Sequence, residues 1–220
     1  MLPDENLTVA VTAGRTVTAL VTRPEVESSG WLFVYAPGAG SNVRDPFGAH
    51  ASHRLAAEGF SSVRFQFPYT EDGRRRPDRT SVLEETWRRI IDAVRAPGLR
   101  LVVGGRSMGG RIASHVVAQG VEVGALALFA YPLRPPWRPE QLRDGHLADI
   151  SVPTLFCSGT RDAFAAPEEL CAASSRVVTS SVHLLEGADH GFSVLKSSGR
   201  TRGDVWDEAI VAMLEWLRDV

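Results

Sequence analysis

The chain has 220 residues, a formal net charge of −2 at pH 7 and a hydrophobic fraction of 44%, values that are typical of one large soluble domain. The near-neutral charge argues against long-range attraction to nucleic acid or to an acidic membrane surface. No segment approaches the roughly 18 apolar residues of a membrane span, and the acidic N-terminus does not resemble a signal peptide. The two cysteines, Cys157 and Cys171, do not suggest a disulfide framework. We therefore predict a cytoplasmic protein that forms a single domain over residues 1–220.

Strand-like and helix-like segments alternate along the chain, which is typical of a mostly parallel sheet covered by helices on both faces. Two alternating apolar runs predict opening strands over 7–11 and 16–23, with a hairpin turn at Ala13-Gly14. Later strands are predicted over 31–36, 62–67, 101–105, 125–131, 154–158 and 181–185. We therefore expect an α/β fold built on a twisted, mostly parallel sheet of about eight strands.

Helices are predicted between these strands over 46–58, 81–94, 107–119 and 168–173, and a last helix over 204–217. Ser81 and Glu84 have the spacing of a capping box at the start of the second helix. The last helix carries apolar residues at helical spacing, so one of its faces is expected to pack on the sheet. Segment 132–149 contains four prolines and is predicted as a loop with one short helix, which gives a minimal cap or none.

The strongest chemical signal is the segment Gly105-Arg106-Ser107-Met108-Gly109. It fits the pattern G-x-S-x-G at the junction of a predicted strand and helix, where a nucleophile elbow is found. The sharp turn exposes the serine oxygen at the edge of the sheet, and the helix N-terminus favours developing negative charge. The two glycines also fit a tight turn without catalysis, but the partners described next favour Ser107 as a nucleophile.

A serine hydroxyl is a poor nucleophile at neutral pH unless a base removes its proton, and the base needs a carboxylate that fixes its tautomer. Asp162 and His190 each follow a predicted strand, in the order serine, acid, histidine that this kind of elbow requires. We therefore predict His190 as the base and Asp162 as the acid that orients it. Asp189 adjoins His190 and is interpreted as a residue that structures the loop.

The loop after the third predicted strand, Pro37-Gly38-Ala39-Gly40-Ser41, predicts an oxyanion hole. Its small residues let the backbone approach a substrate carbonyl, so the N–H of Ala39 is expected to act with the N–H of Met108. Gly40 is expected to lie against the substrate. A flexible glycine loop without this role is the alternative interpretation.

Substrate contacts are assigned to Arg106, which adjoins the nucleophile, and to three aromatic residues, Tyr131, Phe164 and Phe192. Pairing with a loop carboxylate is the alternative for Arg106, and core packing explains the aromatic residues equally well. The polar loop that contains Tyr69 and residues 74–76 is interpreted as solvated surface. His50 and His53 lie three residues apart without a third ligand, so no metal site is predicted.

Four phrases, PGAGSN, GGRSMGGR, SGTRDAF and GADHGF, resemble the α/β-hydrolase superfamily over nearly the whole chain. They look closest to a group of small, lidless, dienelactone-hydrolase-like bacterial hydrolases. The resemblance implies the fold, the triad and the two backbone donors at the positions named above. It does not bring a substrate, since dienelactone hydrolases use a cysteine nucleophile where this chain has Ser107.

These features predict a serine hydrolase of the carboxylesterase type that cleaves a small ester, or a thioester or amide, through an acyl-enzyme. The expected partner is a small molecule, with no cofactor, nucleic acid or membrane involved. Two alternatives remain open: a non-catalytic hydrolase fold kept as a scaffold for protein contacts, and perhydrolysis or C–C cleavage by the same triad. The sequence leaves the oligomeric state open.

Overall fold

The computed structural model describes residues 3–12, 14–135, 138 and 140–220. In this part of the chain the strands are β1 (Glu5–Thr12), β2 (Arg15–Thr22), β3 (Trp31–Ala36), β4 (Ser61–Phe65), β5 (Arg100–Arg106), β6 (Ala125–Phe129), β7 (Thr154–Gly159) and β8 (Ser180–Leu185). They form one sheet in the order β1-β2-β4-β3-β5-β6-β7-β8. Strand β2 is antiparallel to both of its neighbours, and the other five neighbouring pairs are parallel.

The helices of the described residues are α1 (Pro46–Ala57), α2 (Pro68–Glu71), α3 (Thr80–Val94), α4 (Met108–Ala118), α5 (Pro167–Ser174) and α6 (Arg202–Arg218). Short 3₁₀ turns lie at Gly145–Asp149 and Lys196–Ser198. Helices α3, α4 and α5 pack on one face of the sheet, and α1 and α6 on the other. The predicted α/β fold, a mostly parallel sheet of about eight strands with helices on both faces, is confirmed.

Strands β3, β6 and β7 are buried along their whole length. Their near-continuous apolar sequences follow from this position, because a central parallel strand is covered by helices on both faces. The carboxyl ends of β3, β5 and β7, and the segment after β8, therefore lie along one edge of the sheet, where ligands of such folds bind. Ser107 and Asp162 both follow strands that end there.

Several predicted boundaries are shifted by one or two residues, and the strand predicted to Tyr131 ends at Phe129. Two of the shifts have a local reason. The strand predicted to Phe67 ends at Phe65, because Pro68 at the first position of α2 redirects the chain. Helix α3 begins at Thr80, one residue before Ser81, and its N-cap Arg79 makes no side-chain cap hydrogen bond. The predicted capping box is therefore absent from α3.

No described helix is both long and apolar enough to cross a membrane. Between β6 and β7 the described residues contain the single 3₁₀ turn Gly145–Asp149, in agreement with a minimal cap. The predicted hairpin position Ala13 and the prolines 136 and 139 lie outside the described residues.

Candidate active site

Ser107 lies in the turn between β5 and α4, with φ of 52° and ψ of −119°. Such a backbone conformation costs a non-glycine residue about 1–3 kcal/mol and persists only where the surroundings enforce it. The backbone N–H of Ser107 donates to the carbonyl of Phe129 on the neighbouring strand at 2.8 Å. A Cβ built on Gly105 or on Gly109 would lie 2.1 Å from the carbonyl oxygen of Ala36. Both glycines are therefore required by the close approach of the elbow to the end of β3.

The three predicted catalytic residues lie in one hydrogen-bonded chain. The Oγ of Ser107 is 2.9 Å from Nε2 of His190, and Nδ1 of His190 is 2.8 and 3.0 Å from the two carboxylate oxygens of Asp162. Because the carboxylate accepts, Nδ1 carries a proton and donates it to Asp162, which leaves Nε2 of the neutral ring to accept from Ser107. This is the arrangement that a general base for a serine nucleophile needs.

Asp162 is held in place by groups other than His190. Its side chain is fully buried, and it accepts hydrogen bonds from the N–H of Phe164 at 2.8 Å and from the hydroxyl of Ser158 at 3.3 Å. A buried carboxylate needs such partners, because an unpaired buried charge is costly. The bonds fix the carboxylate toward His190.

The loop that follows β3 forms a tight turn next to the nucleophile. The N–H of Ser41 donates to the carbonyl of Gly38 at 3.1 Å, and Gly40 has φ of 76°, which glycine adopts at little cost. Ala39 in this turn and Met108 at the start of α4 line the same cleft as Ser107. The N–H of Met108 has no acceptor within its helix, because it belongs to the first turn.

Two residues that sequence reasoning missed support this loop. The Tyr69 hydroxyl, fully buried rather than solvated, accepts the N–H of Gly40 at 3.1 Å. The buried carboxylate of Asp45 accepts from the hydroxyls of Tyr35 at 2.6 Å and Ser41 at 3.2 Å. Burial raises the pKa of Tyr35 well above its usual range, and the negative charge of Asp45 is the second cause. This phenol therefore keeps its proton and donates it in the hydrogen bond.

A cleft of about 710 Å³ opens over these groups. Ser107, His190, Ala39 and Met108 are among its lining residues, and the ring centroid of Phe164 lies 4.4 Å from that of His190. Further walls come from Leu83, Pro132 and several residues of the arginine-rich loop before α3. The structure thus brings the hydroxyl of Ser107 and the imidazole of His190 to one partly apolar cleft, together with Ala39 and Met108.

A family model described as an alpha/beta hydrolase domain matches residues 29–218. The chain belongs to the α/β-hydrolase family. Comparison with proteins of curated function gives no significant match.

Solved structures of this family superpose over nearly the whole chain. An alpha-beta serine hydrolase homologue from Coxiella burnetii has a TM-score of 0.77 at 18% identity, covering 96% of this chain and 98% of its own. A lidless serine hydrolase from Xanthomonas campestris has a TM-score of 0.74 at 18% identity, with 97% and 94% covered. A dienelactone hydrolase from Anabaena variabilis has a TM-score of 0.71 at 19% identity, with 99% and 97% covered. At these identities the likeness shows the fold.

The other substrate contacts predicted for this α/β-hydrolase need correction. Phe164 lines the cleft, but Tyr131 and Phe192 do not. Tyr131 is fully buried and donates its hydroxyl to the carbonyl of Arg143 at 2.8 Å. Phe192 is fully buried against Phe47, with ring centroids 5.3 Å apart. Both are core residues, as the alternative interpretation held.

Arg106 and Gly40 also lie outside the set of cleft-lining residues. The positive charge of Arg106 acts on the buried phenol of Tyr35, where it opposes the rise of that pKa. The backbone N–H of Gly40 donates to the Tyr69 hydroxyl, and this hydrogen bond supports the loop beside Ser107. Arg106 is half-buried, and its contact with a substrate stays a prediction.

Asp189 and His50, which the sequence singles out, have partners outside the cleft. Asp189 accepts from the N–H groups of Gly191 and Ser193 at 2.8 Å, which structures the loop as interpreted. His50 contacts Asp207 at 2.9 Å. Within the described ranges no group of three or more His, Cys, Asp or Glu side chains could hold a metal ion.

Proposed function

We propose that the protein is a serine hydrolase of the carboxylesterase type, which cleaves small esters through an acyl-enzyme on Ser107. The observation that carries this proposal is the hydrogen-bonded chain Ser107–His190–Asp162 at the mouth of a cleft. The membership of the chain in the α/β-hydrolase family supports the same reaction class.

Acylation begins when Oγ of Ser107 attacks the ester carbonyl carbon while Nε2 of His190 takes the hydroxyl proton. The negative charge moves to the carbonyl oxygen, which accepts from the N–H groups of Met108 and Ala39. Asp162 stabilises the imidazolium that forms. Collapse of the tetrahedral intermediate breaks the ester C–O bond, and His190 gives its proton to the departing alcohol.

Deacylation repeats these steps with water as the nucleophile. Nε2 of His190 takes a proton from water, whose oxygen attacks the acyl carbon, and the same two N–H groups bind the oxyanion. When the second intermediate collapses, the bond to Oγ of Ser107 breaks and the serine recovers its proton from His190. The acid product leaves, and the starting state is restored.

The proposal is tested with p-nitrophenyl acetate and butyrate as substrates for the wild-type protein and for Ser107→Ala. We expect hydrolysis by the wild type and a loss of about 10³-fold or more in the variant, because the three side chains act as a unit. Ser81→Ala, which changes an exposed serine outside the cleft, is the matched control and retains wild-type activity.

Labelling with a fluorophosphonate separates this proposal from the scaffold alternative. A working triad forms a covalent adduct on Ser107, which mass spectrometry of the tryptic peptide locates. A folded protein that hydrolyses none of the esters and takes no label on Ser107 would contradict the proposed function.

A further inference from the structure

The four residues 38–41, which we call the oxyanion turn, carry the proposed donor Ala39 at their apex. The N–H of Ser41 donates to the carbonyl of Gly38 at 3.1 Å, so these two residues are the ends of a β-turn. Gly40 has φ of 76°, whereas the φ of Ala39 is negative. A negative φ at the second position and a positive φ at the third are typical of a type II turn, which favours glycine at the third.

The apex of this turn has few contacts of its own. Its internal hydrogen bond uses the carbonyl of Gly38 and the N–H of Ser41, which leaves the N–H of Gly40 without a partner inside the turn. Ala39 and Gly40 are both exposed, and a Cβ built on Gly40 would meet nothing within 4 Å. Packing therefore does little to hold the apex in place.

Tyr69 supplies the bond that holds the apex. Its hydroxyl oxygen accepts from the N–H of Gly40 at 3.1 Å. Among the described residues no other hydrogen bond joins Ala39 or Gly40 to the rest of the protein. The conformation of the apex thus depends on one phenol, 29 residues away in the sequence.

Tyr69 is itself rigidly placed. It is fully buried, and its ring stacks on Phe67 with centroids 6.3 Å apart and planes 13° from parallel. Glu71, at the end of the same short helix α2, accepts from the backbone N–H of Thr18 on β2. The hydroxyl is therefore a fixed point that connects the sheet to the oxyanion turn.

The other end of the turn lies against the nucleophile. A Cβ built on Gly38 would lie 3.5 Å from Cβ of Ser107, and Ala39 and Ser107 line the same cleft. The position of the Ala39 N–H relative to Ser107 is thus set by the contact at Gly38 and by the bond at Gly40. Donors to an oxyanion are effective when they are in place before the charge develops.

We propose that Tyr69 is a positioning residue of the hydrolysis, which acts through the N–H of Gly40 to hold the Ala39 N–H where the oxyanion forms. The inference rests on the proposed function, since it needs a substrate carbonyl that gains negative charge. Tyr69 does not line the cleft, so it makes no contact with the bound ester. Its effect falls on the transition state rather than on substrate binding.

The first test compares the wild type with Tyr69→Phe, which keeps the ring and removes the hydrogen-bond acceptor, on p-nitrophenyl butyrate. We expect kcat to fall about five- to tenfold, as the loss of one hydrogen bond predicts. KM should change less than about twofold. Acylation and deacylation both pass through an oxyanion, so the two rates fall together and their ratio, which enters KM, is kept.

Gly40→Ala perturbs the same apex by unrelated chemistry. The added methyl group meets nothing within 4 Å, so its effect comes from the positive φ, which an alanine adopts only at a cost. We expect a loss of kcat of about the same size, again with KM nearly unchanged. This variant also tests the turn if Tyr69→Phe does not fold.

Gly98→Ala is the matched control. Gly98 has φ of 81°, and a Cβ there also meets nothing within 4 Å. It occupies the third position of an equivalent turn, in which the N–H of Leu99 donates to the carbonyl of Ala96 at 3.3 Å, and it precedes β5 at the end remote from Ser107. The same backbone strain at this position should leave kcat at the wild-type value.

Inhibition by 1,1,1-trifluoro-2-hexanone gives a second readout, because the hemiketal that it forms with Ser107 carries an oxyanion. Its inhibition constant should rise about five- to tenfold in Tyr69→Phe and in Gly40→Ala and stay unchanged in Gly98→Ala. A purely structural role of Tyr69 would lower the stability of the fold without this selective loss of affinity.

The outcomes separate the inference from the function on which it rests. Ser107-dependent hydrolysis with a wild-type kcat in Tyr69→Phe contradicts the positioning role alone. So does a loss that appears in KM while the ketone still binds as it does to the wild type, or an equal loss of kcat in Gly98→Ala. Absence of Ser107-dependent hydrolysis in the wild type, with no labelling of Ser107, contradicts the proposed function and the inference with it.

Discussion

Asp162 lies next to His190 in space, and Asp189 precedes it in the sequence. The hydrogen bonds of the two aspartates indicate different roles. The carboxylate of Asp162 lies 2.8 Å from Nδ1 of His190. One oxygen of Asp189 accepts instead from the N–H groups of Gly191 and Ser193, which ties the loop together. Asp189, the neighbour of His190 in sequence, thus bonds to backbone N–H groups of its own loop. Asp162, which is 28 positions away, contacts the imidazole ring.

Replacing each aspartate by asparagine is expected to separate these roles. Asp162→Asn should lower kcat about 10³–10⁴-fold, because an amide N–H favours the wrong imidazole tautomer. Asp189→Asn should cost far less in kcat, since an asparagine side-chain oxygen still accepts from the loop. Steady-state kinetics on p-nitrophenyl butyrate with both purified, folded variants checks this. A larger loss in Asp189→Asn would assign the acid to that residue.

At the residue level the sequence could predict contacts that follow from chain order but not those that depend on side-chain direction. Ser107, Asp162 and His190 each follow a strand, and parallel strands bring such positions to one edge. Whether Arg106 or Arg111 faces the cleft depends on how strand and helix turn at the elbow. Adjacency to Ser107 favoured Arg106, whereas the helical repeat places Arg111 on the cleft side of α4.

The turn at Ser107 and the loop after β3, which is the proposed oxyanion loop, are in direct backbone contact. A Cβ on Gly109 would lie 2.1 Å from the carbonyl oxygen of Ala36 and 2.6 Å from that of Pro37. Backbone atoms at the end of a central strand cannot move aside as a flexible side chain can. The packing of α4 on β3 therefore fixes the distance between Ser107 and the loop that carries Ala39.

Gly109→Ala is expected to lower the free energy of unfolding by about 1–3 kcal/mol or more, because the added methyl overpacks this contact. It should also reduce kcat by displacing the oxyanion loop. Gly145→Ala is the control, since a Cβ there meets nothing within 4 Å. Urea denaturation of the two variants measures the difference, and equal stability would show that the backbone accommodates the methyl group.

Element types were predictable where periodicity or continuous apolarity is strong, as in β3 and α6. Helix α2 was not predicted, because its four residues, Pro68–Glu71, are too few for a periodic pattern. Its Tyr69 was therefore interpreted as solvated surface, although the short helix turns this side chain inward beneath Gly40. The bond between them joins segments 29 residues apart, a contact that no local pattern encodes.

The whole molecule buries several histidines in unfavourable surroundings. Burial lowers the pKa of His53 and of His115. It also lowers the pKa of His146 to about 4, and the charge of His115 contributes to that shift as a second cause. In the unfolded chain a histidine titrates near pH ~6.5. Below that value the unfolded state takes up protons that the folded state does not bind, so acid favours unfolding.

We therefore expect the free energy of unfolding to be fully retained above about pH 6.5 and to decrease as the pH falls toward about 4. Urea denaturation at intervals from pH 7.5 to pH 4.5 measures this decrease. His146→Gln should reduce the dependence of the free energy of unfolding on pH over that range. It removes the histidine whose pKa in the folded protein lies furthest below its pKa in the unfolded chain. A wild-type stability that stays constant over the range would contradict the effect of burial.

The openness of the whole site predicts the response to acyl length among uncharged esters. The described residues between β6 and β7 form no multi-helix cap, so we expect Ser107 to lie in a cleft without a deep apolar tunnel. A buried methylene contributes about 0.8 kcal/mol, but only while it leaves water.

We therefore expect p-nitrophenyl esters of about two to four acyl carbons to give the highest kcat/KM, since further methylenes add little burial. No increase in activity is expected at a lipid interface, because the described residues form no lid that such an interface could displace. The measurement is a series of p-nitrophenyl esters from acetate to palmitate, below and above the critical micelle concentration of the longer members. A maximum at ten carbons or more would require a buried channel and would contradict the open cleft.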